Sequence, residues 1–122
     1  MDKRILDGNA LIAQFMGAVF HPEIKLYNNP ESMWIFTSRP APSVPLQLGP
    51  SQLEYHENWE WLMPVLEKVE GTGVHSTISY LADRNYHIAE IYGMRHEYWR
   101  RTAMIKIDAV WSVIVEFLRF YQ

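Results

Sequence analysis

The feature that most constrains the fold is an apolar stripe of helical spacing at the C-terminal end of the chain. Apolar residues recur there every three or four positions, at Ile107, Val110, Trp111, Ile114, Phe117, Leu118 and Tyr121. Residues at this spacing share one face of an α-helix, so the stripe predicts a helix over residues 104–121, with Thr102 as its cap. A helix with one apolar face needs a second element against which that face can pack.

A second helix is predicted in the segment "NWEWLMPVLEKVE", residues 58–70. Asn58 is a suitable N-cap, and Pro64 should kink the helix because proline removes one backbone hydrogen bond. One stripe of this helix is expected to be buried against the helix that carries Trp111, and it contains Trp59, Leu62, Met63, Leu66 and Val69. A shorter amphipathic helix is predicted over residues 8–17.

Alternating and β-branched patterns between these helices predict two hairpins. The first pairs residues 23–27 with 33–37, and the second spans residues 74–92 with "ADRN" as its turn. Residues 39–50 contain Pro40, Pro42, Pro45 and Pro50, which predicts a surface loop and not a strand, because proline cannot donate to a sheet. The segment "MRHEYWRRTAM", residues 94–104, also reads as a loop.

The predicted order of elements is α-β-β-α-β-β-α. Strands that arrive in tight pairs favour an antiparallel sheet, so we expect one α+β domain over residues 1–122. It would hold a mainly antiparallel four-stranded sheet, two longer helices and one short helix. The 122-residue length is too short for two ordinary domains.

Composition excludes several classes of function. With 11 Lys and Arg against 14 Asp and Glu, the net charge is −3, which disfavours binding to extended nucleic acid. The absence of cysteine excludes disulfides and thiolate metal sites. No run approaches the ~18 apolar residues of a membrane span, so no membrane partner and a cytoplasmic location are predicted. No phosphate-loop or dinucleotide motif is present, so no cofactor is predicted and enzymatic activity lacks positive support.

The best candidate for a ligand site is the cluster "RHEYWRR" at residues 95–101. Its chemistry comes from Arg95, His96, Tyr98, Trp99, Arg100 and Arg101. Arginine forks bind phosphate bidentately, and a neighbouring aromatic ring can stack on a base. Two alternatives stay open, namely a solvated loop whose arginines pair with Glu90 and Glu97, and a protein interface.

Two further residues are candidates at the border of such a site. Trp61 lies off the apolar stripe, so it is a better candidate than Trp59 for an exposed or interface ring, although packing in the core is the favoured interpretation for both rings. His56 lies beside Glu57 and could act as a general base, or it could simply precede the helix. His75 and His87 could approach across the second hairpin, but two ligands do not complete a zinc site, so no metal is predicted.

The segments "YHENWEWLMPVLEKVE" and "IKIDAVWSVIVEFLRFYQ", together with "LIAQFMG", carry a resemblance. They resemble a family of small uncharacterised phage and prophage proteins with a Tyr-His-x-x-Trp-x-Trp-Leu-Met-Pro helix motif and a C-terminal helix of Ile-Glu-Ala-Val type. The resemblance implies a phage accessory protein made in a bacterial cytoplasm. It implies no reaction and supplies no catalytic residues.

The resemblance to phage proteins implies a counter-defence role, and together with the arginine-rich cluster it leads us to expect a non-catalytic binding protein. It would sequester a phosphate-bearing, nucleotide-derived immune signal and would act as a homo-oligomer. One alternative is a protein inhibitor of a host factor that uses the proline-rich segment and the acidic surface. The other is a small hydrolase that depends on His56, His75 or His87.

Overall fold

The computed structural model describes residues 2–23 and 33–121 and confirms the α+β class. The helices are α1 (Lys3–Phe15), α2 (Trp59–Glu70) and α3 (Lys106–Tyr121), with a short 3-10 helix at Pro50–Gln52. The strands are β1 (Val19–His21), β2 (Met33–Ile35), β3 (Gln47–Leu48), β4 (His75–Leu81), β5 (Tyr86–Tyr92) and β6 (Tyr98–Ala103).

The strands form two three-stranded antiparallel sheets, β1-β2-β3 and β4-β5-β6, so the prediction of one four-stranded sheet is wrong. Each sheet gains a strand from a segment that reads as a loop. In the proline-rich segment, Gln47 and Leu48 fall between prolines and pair with β2. The arginines of "YWRRTA" make this segment look like a solvated loop in the sequence, yet it pairs with β5 along its whole length. Sequence pattern underestimates strands whose residues are polar or very few.

The second predicted hairpin is confirmed as β4 and β5, with Ala82–Asn85 as the turn. Asn85 adopts a φ of 52°, a left-handed conformation that asparagine tolerates well. Residues 93–97 connect β5 to β6. In that turn the Gly93 amide donates to the Glu97 carbonyl at 2.7 Å, and the Arg95 amide donates to the Glu97 carboxylate at 2.8 Å. The predicted strand at 23–27 lies almost wholly outside the described residues, and Glu23 lies in a turn.

The helix boundaries follow from their caps. The α1 helix begins at Lys3 and not at residue 8, because the Asp2 side chain accepts a hydrogen bond from the Arg4 amide at 2.7 Å. Asn58 caps α2 as predicted by accepting from the Glu60 amide at 3.0 Å, and the helix runs through Pro64. Thr102 lies in β6 and so does not cap α3, which begins at Lys106.

The core forms around α3, which contacts β5, β6, α1 and α2. In α2 the buried residues are Trp61, Leu62, Val65, Leu66 and Val69. Met63 is 41% exposed, so its expected burial is wrong. Trp59 packs against the core as expected but is only partly buried. The buried face includes Trp61 because its ring packs edge-on against Tyr55, with ring centroids 5.4 Å apart, in the turn before the helix.

Close packing between α1 and α3 depends on Gly8. A Cβ atom at this position would lie 2.4 Å from Cζ2 of Trp111 and 3.0 Å from Cγ2 of Val115. A residue without a side chain is therefore needed where α1 crosses the indole. None of the helices in the described part of the chain is both long and apolar enough to cross a membrane.

We expect Gly8→Ala to destabilise the protein, although alanine is favoured over glycine in a helix by about 1 kcal/mol. Overpacking a core costs about 1–3 kcal/mol, and the 2.4 Å approach to the indole is tight enough for this cost to win. Urea denaturation would measure the change. Gln14→Ala, on the exposed side of the same helix, is the control and should change the free energy of unfolding by no more than about 0.5 kcal/mol. A Gly8→Ala variant as stable as the wild type would contradict this packing.

Candidate functional site

The cluster "RHEYWRR" does not form one site, because β6 distributes its side chains to two faces of the sheet. Alternate residues of a strand point to opposite sides. Trp99 and Arg101 face α3, whereas Tyr98 and Arg100 lie on the opposite face of the sheet. Arg95 and His96 lie in the turn before β6, and His96 has a φ of 70°. The structure therefore separates the six predicted residues among several surfaces.

One of these surfaces, here called the tyrosine face, consists of Thr77, Glu90, Tyr92, Tyr98 and Arg100 on the side of the β4-β5-β6 sheet opposite α3. Its centre is the Glu90 carboxylate. The Tyr92 hydroxyl donates to Oε2 of Glu90 at 2.9 Å, and the Tyr98 hydroxyl donates to the same atom. Arg100 lies directly across from Glu90 in the strand register, so the charges of this face balance and do not favour an anion.

The hydrogen bonds of the tyrosine face shift the pKa values of its members. The bond from Tyr98 is the main reason that the pKa of Glu90 lies below its ordinary value of 4.5. The same bond raises the pKa of Tyr98 to about 12, because loss of the phenolic proton would place two negative charges in contact. Glu90 is therefore ionised near neutral pH, and its carboxylate accepts the hydrogen bonds from Tyr92 and Tyr98.

Trp99 serves mainly to pack the sheet against the end of α3. Its ring lies edge-on to Phe117, with centroids 5.2 Å apart, and is tilted against Phe120 at 5.1 Å. Together with Arg95 and Met94 it also lines a cleft of about 360 Å³ at the β5–β6 turn. This cleft brings Arg95 and Trp99 together, but Glu97 also lines it and offsets the charge of Arg95.

Three arginines line a different cleft, here called the arginine cleft. It has a volume of about 180 Å³ and is lined by Arg4, Arg101, Trp111, Ser112, Val115, Glu116 and Arg119. Arg101 contacts the Glu116 carboxylate, and Nη1 of Arg119 lies 4.0 Å from Oε2 of the same group. The Arg4 guanidinium lies over the Trp111 ring, 5.3 Å from its centroid.

The charges of the arginine cleft do not cancel. Arg4, Arg101 and Arg119 contribute three positive charges and Glu116 contributes one negative charge, so the lining carries 3 − 1 = +2. The whole chain has a net charge of −3, which makes this cleft a local exception. Guanidinium groups offer planar sets of donors that match the oxygens of phosphate and carboxylate. The arrangement is therefore suited to hold a small anion.

His56 belongs to a buried hydrogen-bond network. The Trp111 indole N–H can only donate, and it donates to Oδ1 of Asn9 at 2.9 Å. This bond fixes the orientation of the Asn9 side-chain amide. The amide nitrogen of Asn9 then donates to the Leu53 carbonyl at 3.1 Å and to Nδ1 of His56 at 2.9 Å. His56 Nδ1 must be an acceptor, which leaves the ring proton on Nε2, 3.6 Å from the Glu57 carboxylate. This geometry supports the structural interpretation of His56 over that of a general base.

The structure decides between the alternatives that the sequence left open at Trp61 and at the histidines of the second hairpin. Trp61 is only 2% exposed, so it is not a surface ring, because the turn before α2 supplies Tyr55 to cover it. His75 pairs with Tyr92 and His87 with Tyr80, which places the two histidines near opposite ends of the hairpin and on opposite faces. Within residues 2–23 and 33–121, no three His, Asp or Glu side chains are grouped so as to hold a metal ion.

Sequence reasoning missed four polar members of the arginine cleft, namely Arg4, Ser112, Glu116 and Arg119. The i, i+3 spacing of Glu116 and Arg119 on the predicted terminal helix could have indicated that this pair shares a face. No local signal brings Arg4 to the same place, because it is separated from Arg101 by almost the whole chain.

Comparisons of this chain with protein-family models, with curated proteins and with solved structures found no match.

The tyrosine face gives a prediction about pH. A lowered pKa in the folded state means that Glu90 contributes stability that is fully present above about pH 4.5 and is lost as the pH falls through the folded-state pKa. Wild type should therefore have a higher melting temperature than Glu90→Gln near neutral pH, and this difference in melting temperature should disappear in acid. Tyr98→Phe removes the main donor and should reduce this pH-dependent difference. A difference in melting temperature that stays constant from neutral to acidic pH would contradict the assignment.

Proposed function

We propose that this protein is a non-catalytic binding protein for a phosphate-bearing small molecule, and that the arginine cleft holds the phosphate. The observation that carries the proposal is the convergence of three guanidinium groups, with a net charge of +2, in a cleft of about 180 Å³. Arg101 is the member of the "RHEYWRR" cluster that takes part. Charge-assisted hydrogen bonds from arginine are the strong interactions that phosphate recognition uses.

The dimensions of the cleft support recognition of the phosphate group alone. Pockets that enclose a whole small molecule usually measure about 300–1,000 Å³, more than the 180 Å³ found here. The remainder of the ligand would lie outside, near Arg4. The Arg4 guanidinium lies over the Trp111 ring at the exposed surface, and a planar guanidinium is a group on which a nucleobase can stack. A nucleotide-derived ligand fits this arrangement.

The biological part of the proposal rests on the resemblance to phage proteins. A protein of that kind would sequester a nucleotide signal of host immunity in the bacterial cytoplasm, without turning it over. His56 supports binding over hydrolysis, because its Nδ1 accepts a hydrogen bond from buried Asn9. Homo-oligomerisation is part of the same proposal, and the exposed tyrosine face offers a surface for a second copy.

A different cleft favours the second candidate, inhibition of a host protein. This cleft measures about 520 Å³ and lies between the proline-rich segment and α2. Pro40 and Pro42 line one side, while Met63 and Pro64 line the other between Glu60 and Glu67. An apolar surface between two carboxylates is suited to an apolar side chain on a basic segment of a partner.

Thermal denaturation against a panel of linear and cyclic nucleotides, including ADP-ribose derivatives, tests the leading proposal. A ligand that binds only the folded state adds about 2.7 kcal/mol of stability at about 100 times its Kd. The shift should be markedly reduced in Arg4→Gln and Arg119→Gln, because each variant removes one of the three guanidinium groups that line the cleft. It should be kept in Arg84→Gln, which makes the same change of charge in the β4–β5 turn.

Two results would contradict the arginine cleft as the site. If no nucleotide in the panel raises the melting temperature, the proposal of a nucleotide ligand is wrong. A shift that disappears in Arg100→Gln but persists in Arg119→Gln would place the ligand on the tyrosine face.

A further inference from the structure

The charge of the arginine cleft indicates which phosphates it would select. We infer that the cleft prefers dianionic phosphate monoesters to monoanions of similar shape, including phosphodiesters and sulfate esters. This inference rests on the proposed function and narrows its ligand to molecules with a terminal phosphate. Cyclic phosphodiesters would then be poor ligands for this cleft.

Charge balance is the first argument. The lining carries +2, and a phosphate monoester carries a charge of about −1.5 to −2 near neutral pH because its second pKa is about 6. A monoester therefore neutralises the cleft, whereas a diester or a sulfate ester leaves about one positive charge unmatched. Each unmatched charge is a lost attraction between groups in contact, which matters most where solvent is partly excluded.

The fixed positions of the three arginines are the second argument. Arg101 is held by the Arg100 carbonyl, to which its Nη1 donates at 2.8 Å, and by the Glu116 carboxylate. Arg4 is held against Trp111 by α1, and Arg119 projects from α3. The three groups come from three different elements, α1, β6 and α3, which meet at the cleft. A phosphate monoester presents three terminal oxygens to these arginines, and a diester presents two.

The test compares methyl phosphate with methyl sulfate by isothermal titration calorimetry at about pH 7.5 and low salt, where the phosphate is mostly a dianion. The two probes have nearly the same shape and differ by one unit of charge. We expect methyl phosphate to bind at least about tenfold more tightly, because the extra charge interacts with a cleft of net charge +2. Dimethyl phosphate, a monoanion with only two terminal oxygens, should bind no more tightly than methyl sulfate.

Matched variants assign the preference to the cleft. Arg119→Gln lowers the net charge of the lining from +2 to +1, so the ratio of the two affinities should fall. Arg84→Gln changes the charge of the whole protein equally and should leave the ratio unchanged. Equal affinities for methyl phosphate and methyl sulfate would overturn this inference and leave phosphate binding intact. No saturable binding of either probe would overturn the proposed function as well.

Discussion

The hydrogen bond from the Trp111 indole to the Asn9 side chain is the interaction on which the rest of the structure depends. It joins α1 to α3 inside the core, at a site where Asn9 is fully buried and Trp111 is 3% exposed. The remaining donors of the Asn9 amide reach the segment before α2, through Leu53 and His56. An unsatisfied buried amide would cost about 1–3 kcal/mol, so the whole network is required to hold Asn9 there.

The same tryptophan supports the candidate site. Gly8 lets α1 approach the indole, and one turn of helix away Arg4 lies over the ring at the edge of the arginine cleft. The far side of α3 packs against the β4-β5-β6 sheet, which brings Arg101 to Glu116. Anchoring α1 and β6 on α3 thus places three arginines from three elements around one space. It also leaves the opposite side of the sheet free to carry the tyrosine face.

Much of the fold could be predicted from the sequence, because α2, α3 and the β4–β5 hairpin have strong periodic patterns and clear caps. The errors came where local pattern and tertiary pairing disagree. β6 consists of "YWRRTA", whose arginines read as solvated loop, and β3 has only two residues between prolines. Met63 fits the apolar stripe of α2 but lies at the surface. The buried face of the helix includes Trp61 instead, because the Trp61 ring packs against Tyr55.

The candidate site was less predictable than the fold. The arginine-rich segment was recognisable, but the alternation of a strand that was not predicted divides its members between two faces. Arg101 contacts Glu116 of α3 and shares the cleft with Arg4 of α1, which is separated from it by most of the chain. Spacing along a sequence reports neighbours within one helix or strand, and it carries no information about such distant groups.

The most direct test of phosphate binding is a titration with inorganic phosphate, followed by NMR of the arginine Nε–H groups and the Trp111 indole N–H. The account predicts saturable shifts for Arg4, Arg101, Arg119 and Trp111, which line the cleft. The signals of Arg39, Arg84 and Arg95, which lie elsewhere, should stay in place. Shifts of equal size at all arginines, or at none, would contradict a phosphate site in this cleft.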